Sequence, residues 1–144
     1  PRLVRGFLLI ENAETKDHLL LLSKAHKICL CTPLTHSRAC MIFIETPIFS
    51  ADLPGHLGDH EYGEFQQYLA EHPEAGALIE GTGGLRKIRW AAHGRGKSGG
   101  VRVIYHHVTS AFQIRLLLIY RKGIQDTLSD REKAVLCAIN KGWK

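Results

Sequence analysis

Residues 81–122 decide the fold, and they read GTGGLRKIRWAAHGRGKSGGVRVIYHHVTSAFQIRLLLIYRK. In a β-strand, successive side chains point to opposite faces of the sheet. Near the start of this stretch, Lys87 and Arg89 would therefore share one face, while Ile88 and Trp90 would share the other. One face is predicted to be charged and the other to pack.

Alternation and β-rich composition predict three strands in this stretch, over residues 85–92, 101–108 and 112–120. Glycine-rich or serine-containing turns separate them, which favours an antiparallel meander with one packed face. The third strand is almost entirely apolar and is predicted to be central. On such a sheet Arg102 would approach Lys87 and Arg89.

The charge of the chain is segregated by segment, although its formal net charge is only +5. Nine cations and no acidic residue occur in residues 81–122, namely Arg86, Lys87, Arg89, Arg95, Lys97, Arg102, Arg115, Arg121 and Lys122. Residues 45–80 hold eight acids and no Lys or Arg. The basic stretch predicts a polyanionic partner, with a solvated charged face as the simpler alternative.

Before the basic stretch, residues 41–49 alternate and predict a strand that pairs within the same sheet, followed by a loop over residues 51–60. Asp59 is the predicted N-cap of a helix over residues 60–71. Its apolar stripe, expected to cover the sheet as core, comprises Tyr62, Phe65, Tyr68 and Leu69. A short helix is expected over residues 74–80.

A final helix is predicted from Ser129, which forms a capping box with Glu132, to about Asn140. Its apolar face would comprise Ala134, Val135, Ala138 and Ile139. With 144 residues, 44% of them hydrophobic, the chain predicts one α/β (α+β) domain with helices on one face of a twisted, antiparallel-rich sheet.

The first 40 residues differ in character from the rest, and Met41 is the chain's only methionine. We therefore expect an N-terminal extension over residues 1–40, translated from upstream sequence, and a functional domain over residues 41–144. The potential zinc ligands of this segment are His26, Cys29, Cys31, His36 and Cys40. Because Cys-x-Cys is not the usual zinc spacing, no metal site is predicted. Neither a disulfide framework nor a membrane span is expected, which predicts a cytoplasmic protein.

Three segments together resemble the RelE/HigB superfamily of toxins from bacterial type II toxin-antitoxin systems, and HigB-like members in particular. They are GTGGLRKIRWA, GRGKSGGVRVIYH and LLLIYRK followed by a polar link and a short helix. The resemblance covers about residues 41–144. It implies a RelE/ParE-like fold, in which N-terminal helices pack on one face of a small twisted sheet and a C-terminal helix follows.

The resemblance implies an endoribonuclease, an mRNA interferase that cuts message in the ribosomal A site and so inhibits translation. The ribose 2′-hydroxyl attacks the adjacent phosphate, which requires a base, cations and an acid but no metal or other cofactor. The implied partners are the ribosome, mRNA and a HigA-like helix-turn-helix antitoxin. The toxin itself would contact operator DNA only indirectly, through the antitoxin.

Matching positions place the family's strand-borne cations on Lys87, Arg89 and Arg102. Neighbouring cations would favour the neutral amine of Lys87 and make it a base. The chain departs from the family pattern after Lys122, where the arginine and later tyrosine are missing, so the general acid is left open. The candidates are Tyr120 and Lys122, which share a face, then Arg121, and behind them His106 and His107.

RNA or ribosome contacts are predicted for Arg86, Arg95, Lys97 and Arg121. The GRGKSGG segment is not a nucleotide-binding P-loop, because a strand rather than a helix follows it. Two other functions stay open: a ParE-like inhibitor of DNA gyrase without nuclease activity, and a degenerate copy that retains antitoxin binding alone.

Overall fold

A computed structural model describes residues 24–30, 39–91, 100–121, 123 and 127–142, with residues 24–30 and 39 given by their backbone. Within these residues, six strands form one mixed sheet with the order β1-β2-β6-β5-β4-β3, accompanied by three α-helices and a 3-10 helix (Thr109–Ala111). The elements are β1 (Lys24–Leu30), β2 (Ala39–Glu45), α1 (Pro47–His56), α2 (Asp59–Glu71), β3 (Ala77–Leu78), β4 (Leu85–Trp90), β5 (Val101–Val108), β6 (Gln113–Arg121) and α3 (Asp130–Gly142). The coarse α+β class predicted from the sequence is confirmed.

The predicted meander is present, since β4 pairs with β5 and β5 with β6, both antiparallel. A register shift between Ile104 and Tyr105 sets Ile104 opposite Leu118 and Tyr105 opposite Leu116, so Leu117 is the extra residue of a bulge. The predicted pairing of the first domain strand is also confirmed. β2 lies parallel to β6, with Ile42 opposite Gln113.

Helices cover both faces of the sheet, so the expectation that all helices lie on one face is wrong. Phe65 and Leu69 of α2 pack in one core cluster with Val103 of β5. Leu136 and Ile139 of α3 pack in a second cluster. Because neighbouring strand residues alternate between the two clusters, we call the two faces the α2 side and the α3 side.

The predicted strand over residues 41–49 ends early, and the loop predicted after it is wrong. β2 ends at Glu45, and α1 occupies residues 47–56 beside the second half of β6. The Thr46 hydroxyl caps this helix by accepting from the Phe49 amide (3.1 Å), and it donates to the Leu117 carbonyl (2.8 Å). Pro47 starts the helix, because the first turn needs no N–H donor there.

The helix predicted over residues 60–71 is present as α2, but its N-cap is Gly58 rather than Asp59. The Gly58 amide donates to the Glu61 carboxylate at 3.1 Å. Of the predicted stripe, Phe65 and Leu69 are buried, whereas Tyr68 is 38% exposed.

The short helix predicted over residues 74–80 is wrong, because a turn and the two-residue strand β3 occupy this segment. β3 pairs with β4, with Ala77 opposite Lys87. The Gly76 amide donates to the Tyr105 hydroxyl at 2.9 Å, which ties the turn to the sheet.

The capping box of the C-terminal helix is confirmed. The Ser129 amide donates to the Glu132 carboxylate (2.7 Å), and the Glu132 amide donates to the Ser129 hydroxyl (3.3 Å). The predicted apolar face is wrong in part, since Leu136 and Ile139 are buried while Ala134 and Ala138 are exposed.

The predicted boundary at Met41 lies inside β2, which begins at Ala39 and pairs with β1 along its whole length. Among the described residues, no helix combines the length and the apolar character needed to cross a bilayer.

Candidate functional site

Three predicted catalytic residues lie in one row across the meander. Arg89 of β4 is directly opposite Arg102 of β5, and Arg102 is directly opposite Tyr120 of β6. Lys87 lies two residues from Arg89 and therefore on the same face. We call Lys87, Arg89 and Arg102 the cationic row, which lies on the α3 side.

The spacing within the cationic row suits a shared anion. Directly opposed residues of antiparallel strands have Cβ atoms about 4.5–5.5 Å apart, and diagonal neighbours about 7–8 Å. Arg89 and Arg102 are opposed, and Lys87 is the diagonal neighbour of Arg102. Like charges at such separations concentrate positive potential on one patch, which attracts phosphate.

The residues of the cationic row, and Tyr120 beside it, differ in how far they are buried. Arg89 is exposed and Lys87 is half-buried, whereas Arg102 is 3% and Tyr120 is 1% exposed. Arg89 and Lys87 are therefore the members of the cationic row that are in contact with solvent. Arg102 lies beneath them, and Tyr120 lies deeper still in the second core cluster.

Two of the residues predicted to bind RNA lie away from the cationic row, on the α2 side. Arg86 donates to the Gly76 carbonyl at 3.0 Å and lies 3.9 Å from the Glu74 carboxylate, so it anchors the turn before β3. Arg121 donates to the Gly55 carbonyl at 2.9 Å at the end of α1. Both guanidinium groups have a structural role that sequence reasoning missed.

The other predicted residues Arg95, Lys97 and Lys122 lie outside the residues for which side chains are described. The same is true of four of the five potential zinc ligands, the exception being Cys40. Within the described part of the chain, no group of three His, Cys, Asp or Glu residues could hold a metal ion.

His106 is held in one tautomer by α3. Arg115 of β6 donates to both the backbone carbonyl (3.0 Å) and the side-chain oxygen (3.2 Å) of Asn140. The Asn140 amide nitrogen then faces His106 Nδ1 at 3.1 Å, so Nδ1 accepts and Nε2 carries the proton. Burial and the Arg115 charge lower the pKa of His106, which favours this neutral form.

His107 lies on the α2 side, 4.0 Å from the Glu74 carboxylate. Burial lowers its pKa, while Glu74 opposes that shift. The two histidines that were weighed as general acids therefore lie on opposite faces of the sheet, and neither is in the row of Arg89.

A cavity of about 550 Å³ lies at the outer edge of β4 and was not predicted from the sequence. Its lining residues are Tyr68, Ala75, Ala77, Lys87, Ile88, Arg89 and Trp90. The rings of Tyr68 and Trp90 are 5.4 Å apart between centroids. We call this space the edge cavity. The sequence signal that pointed to it was the aromatic residue Tyr68 in the stripe of α2, which was interpreted as core.

A second, wider groove of about 600 Å³ runs along the exposed surface of α2. Three acidic residues line it, namely Asp59, Glu64 and Glu71. Their charge disfavours nucleic acid within this groove, while Tyr68 lines both this groove and the edge cavity. No protein-family model matches the chain.

Proposed function

We propose that this protein is the toxin of a type II toxin-antitoxin system and acts as a ribosome-dependent mRNA endoribonuclease. The observation that carries the proposal is the cationic row, in which Lys87, Arg89 and Arg102 occupy directly opposed and diagonal positions on one sheet face. No acidic residue occurs in the stretch from Gly81 to Lys122, which contains all three cations.

In the proposed reaction the 2′-hydroxyl of one nucleotide attacks its own 3′-phosphate, and the 5′-oxygen of the next nucleotide leaves. Arg89 binds the phosphate oxygens, for which its planar guanidinium is suited. Lys87 takes the proton of the 2′-hydroxyl. Arg102 contributes fixed positive charge beneath the phosphorane, where charge develops in the transition state.

Tyr120 has a different role in this proposal from the one expected of a general acid. Its side chain is buried directly opposite Arg102. In the proposal Tyr120 is therefore a positioning residue that packs beside Arg102, and it does not touch the substrate. In this proposal Lys122, the other predicted general acid, gives its proton to the leaving 5′-oxygen, and the products are a 2′,3′-cyclic phosphate and a 5′-hydroxyl.

The order of elements also supports the proposal. After β2 come two helices, the meander β4-β5-β6 and the C-terminal helix α3. This is the order that the resemblance to RelE/HigB toxins implies. The same resemblance supports a HigA-like antitoxin as the neutralising partner and the ribosome as the site of action.

The test is primer extension on mRNA in a reconstituted translation reaction with the wild type and the variants Lys87→Ala, Arg89→Ala and Arg102→Ala. Cuts are expected at A-site codons, only when ribosomes are present, and each variant should lose about 100-fold or more in rate, as for a lost base or charge-stabilising group. Lys141→Ala is the matched control, because it removes one exposed charge from α3. Intact message with the wild type, or equal loss in the control, would refute the nuclease.

The burial of Arg102 and Tyr120 favours a second candidate, a ParE-like protein that inhibits DNA gyrase by binding alone. Such a protein needs surface contacts but no transition-state stabilisation from buried groups. A gyrase supercoiling assay distinguishes the two. Inhibition of supercoiling together with intact message would replace the nuclease by the gyrase inhibitor.

A further inference from the structure

We infer that the edge cavity binds one nucleobase of single-stranded RNA, stacked against Tyr68 beside Trp90, while Lys87 and Arg89 hold the adjoining phosphate. This inference rests on the proposed function, for which it names a substrate subsite. At about 550 Å³ the cavity lies within the range of small-ligand sites, about 300–1,000 Å³.

The aromatic wall of the edge cavity is supported from behind. Trp90 packs edge-on against Phe65, with ring centroids 5.3 Å apart, and Phe65 is fully buried. Tyr68 stacks on His72 with centroids 4.8 Å apart. Tyr68 nevertheless stays 38% exposed, although the apolar residue next to it on the helix, Leu69, is fully buried. An exposed ring on a rigid support is the arrangement on which unpaired bases stack, whatever their sequence.

The edge of β4 joins this wall to the cationic row. By strand alternation, Ile88 and Trp90 point to the α2 side, and Lys87 and Arg89 point to the α3 side. All four line the edge cavity, which therefore opens onto both faces. A nucleotide placed over this edge has its base against Tyr68, beside Trp90, and its phosphate against Lys87 and Arg89. No acidic residue lines the cavity.

The backbone of β4 adds hydrogen-bonding groups. β3 pairs only with Arg86 and Lys87, so within the described chain the residues from Ile88 to Trp90 have no strand partner on this side. The Ile79 amide donates to the Leu85 carbonyl at 2.8 Å from this edge, so by strand alternation the N–H and C=O groups of Arg89 also face it and are available to the polar edge of a base. Ala75 and Ala77 have small side chains that leave room for the base.

The test measures tryptophan fluorescence in the full chain carrying Trp143→Phe, so that Trp90 is the sole remaining tryptophan of two. The probes are a 2′-O-methyl RNA octanucleotide, which lacks the attacking hydroxyl, the same oligomer without its central bases, and inorganic polyphosphate. The inference predicts quenching of Trp90 by the base-containing oligomer and little quenching by the other two, even where they bind. Equal quenching by all three would overturn it.

Two variants test the cavity itself. Tyr68→Ala should weaken binding of the base-containing oligomer by roughly 5- to 150-fold, the effect of losing one base stack, whereas Tyr68→Phe keeps the ring and should stay within about twofold. Ala75→Leu fills the edge cavity and retains every aromatic ring, so it should also weaken binding. Thermal unfolding confirms that each variant is folded. Unchanged affinity in folded Tyr68→Ala or Ala75→Leu would exclude a base site and leave the open edge of β4 to an extended peptide.

The two proposals fail in distinguishable ways. Base-dependent quenching with intact message in the translation reaction would refute the nuclease but retain the RNA subsite. Message cleavage with base-independent quenching would retain the nuclease and refute the subsite.

Discussion

The substitution Gly76→Ala places a methyl group against the ring that anchors the turn before β3. A Cβ atom at position 76 would lie 2.8 Å from Cε1 and 2.9 Å from the hydroxyl oxygen of Tyr105, and 3.2 Å from the Cβ of Arg86. Carbon contacts are optimal near 3.5–4.0 Å, so these atoms must move apart. Tyr105 is fully buried among the core residues of the α2 side, so its ring can move only by displacing its neighbours.

The expected cost follows from two effects. Overpacking a well-packed site costs about 1–3 kcal/mol. The movement also weakens the 2.9 Å hydrogen bond from the Gly76 amide to the Tyr105 hydroxyl, which contributes about 1 kcal/mol. Alanine offsets about 0.4–1 kcal/mol of this by restricting the unfolded chain. The net loss in the free energy of unfolding is therefore about 1–3 kcal/mol.

Thermal and urea denaturation measure this loss. An unfolding entropy of about 2.1 cal/mol/K per residue gives about 0.3 kcal/mol/K for 144 residues, so Tm should fall by roughly 3–10 °C. The matched control is Gly63→Ala in the middle of α2, where a Cβ atom meets nothing within 4 Å. That change should raise stability by about 0.5–1 kcal/mol, because alanine favours the helix.

The opposite signs of the two substitutions make the reasoning refutable. If Gly76→Ala is as stable as the wild type, the turn is not held against Tyr105. Ala75 and Ala77 then would not form a fixed wall of the edge cavity. If both substitutions stabilise the protein equally, the effect comes from the unfolded chain alone.

Two further predictions concern α3. Burial and the Arg115 charge lower the pKa of His106 in the folded protein below 6.5, so the unfolded chain takes up a proton before the folded protein does as the pH falls. The contribution of neutral His106 to the free energy of unfolding is therefore complete above pH 6.5 and is lost as the pH falls from 6.5 towards the folded pKa. The urea midpoint should therefore decrease as the pH is lowered from about 7.5 to about 5.5, and the decrease should be smaller in His106→Gln. An identical decrease in both proteins would contradict this assignment. Ser129→Ala removes the side-chain half of the capping box and should lower the free energy of unfolding by about 1 kcal/mol, whereas Ser129→Asp should retain it, as urea denaturation can show. Equal stability of both variants would mean that this cap does not hold the helix.

Local features of the chain predicted the meander and the C-terminal capping box. Alternation placed Lys87 and Arg89 on one face, and the register sets Arg102 directly opposite Arg89. Ser129 and Glu132 form the predicted reciprocal hydrogen bonds. Both features depend on residues close together in the chain or on the two-residue period of a strand, so they can be read without knowledge of the rest of the fold.

The segment after β2 was predicted wrongly for a physical reason. Pro47, Pro54 and Gly55 all favour a loop when the local sequence is considered alone. α1 forms nevertheless, because Thr46 caps it and Phe49 is buried in the core. Packing against the core overrides helix propensity here.

By itself, the sequence determined the three strands of the meander and which of their cations share a face, because both follow from the two-residue period of a strand. Only the tertiary structure decided which of those cations reach solvent. α3 covers one face and buries Tyr120 in the second core cluster, whereas Arg89 stays exposed at the sheet edge. Tyr68 and Trp90 meet only because α2 packs across the sheet. Burial and cavity shape arise from contacts between segments distant in the chain, which no local pattern records.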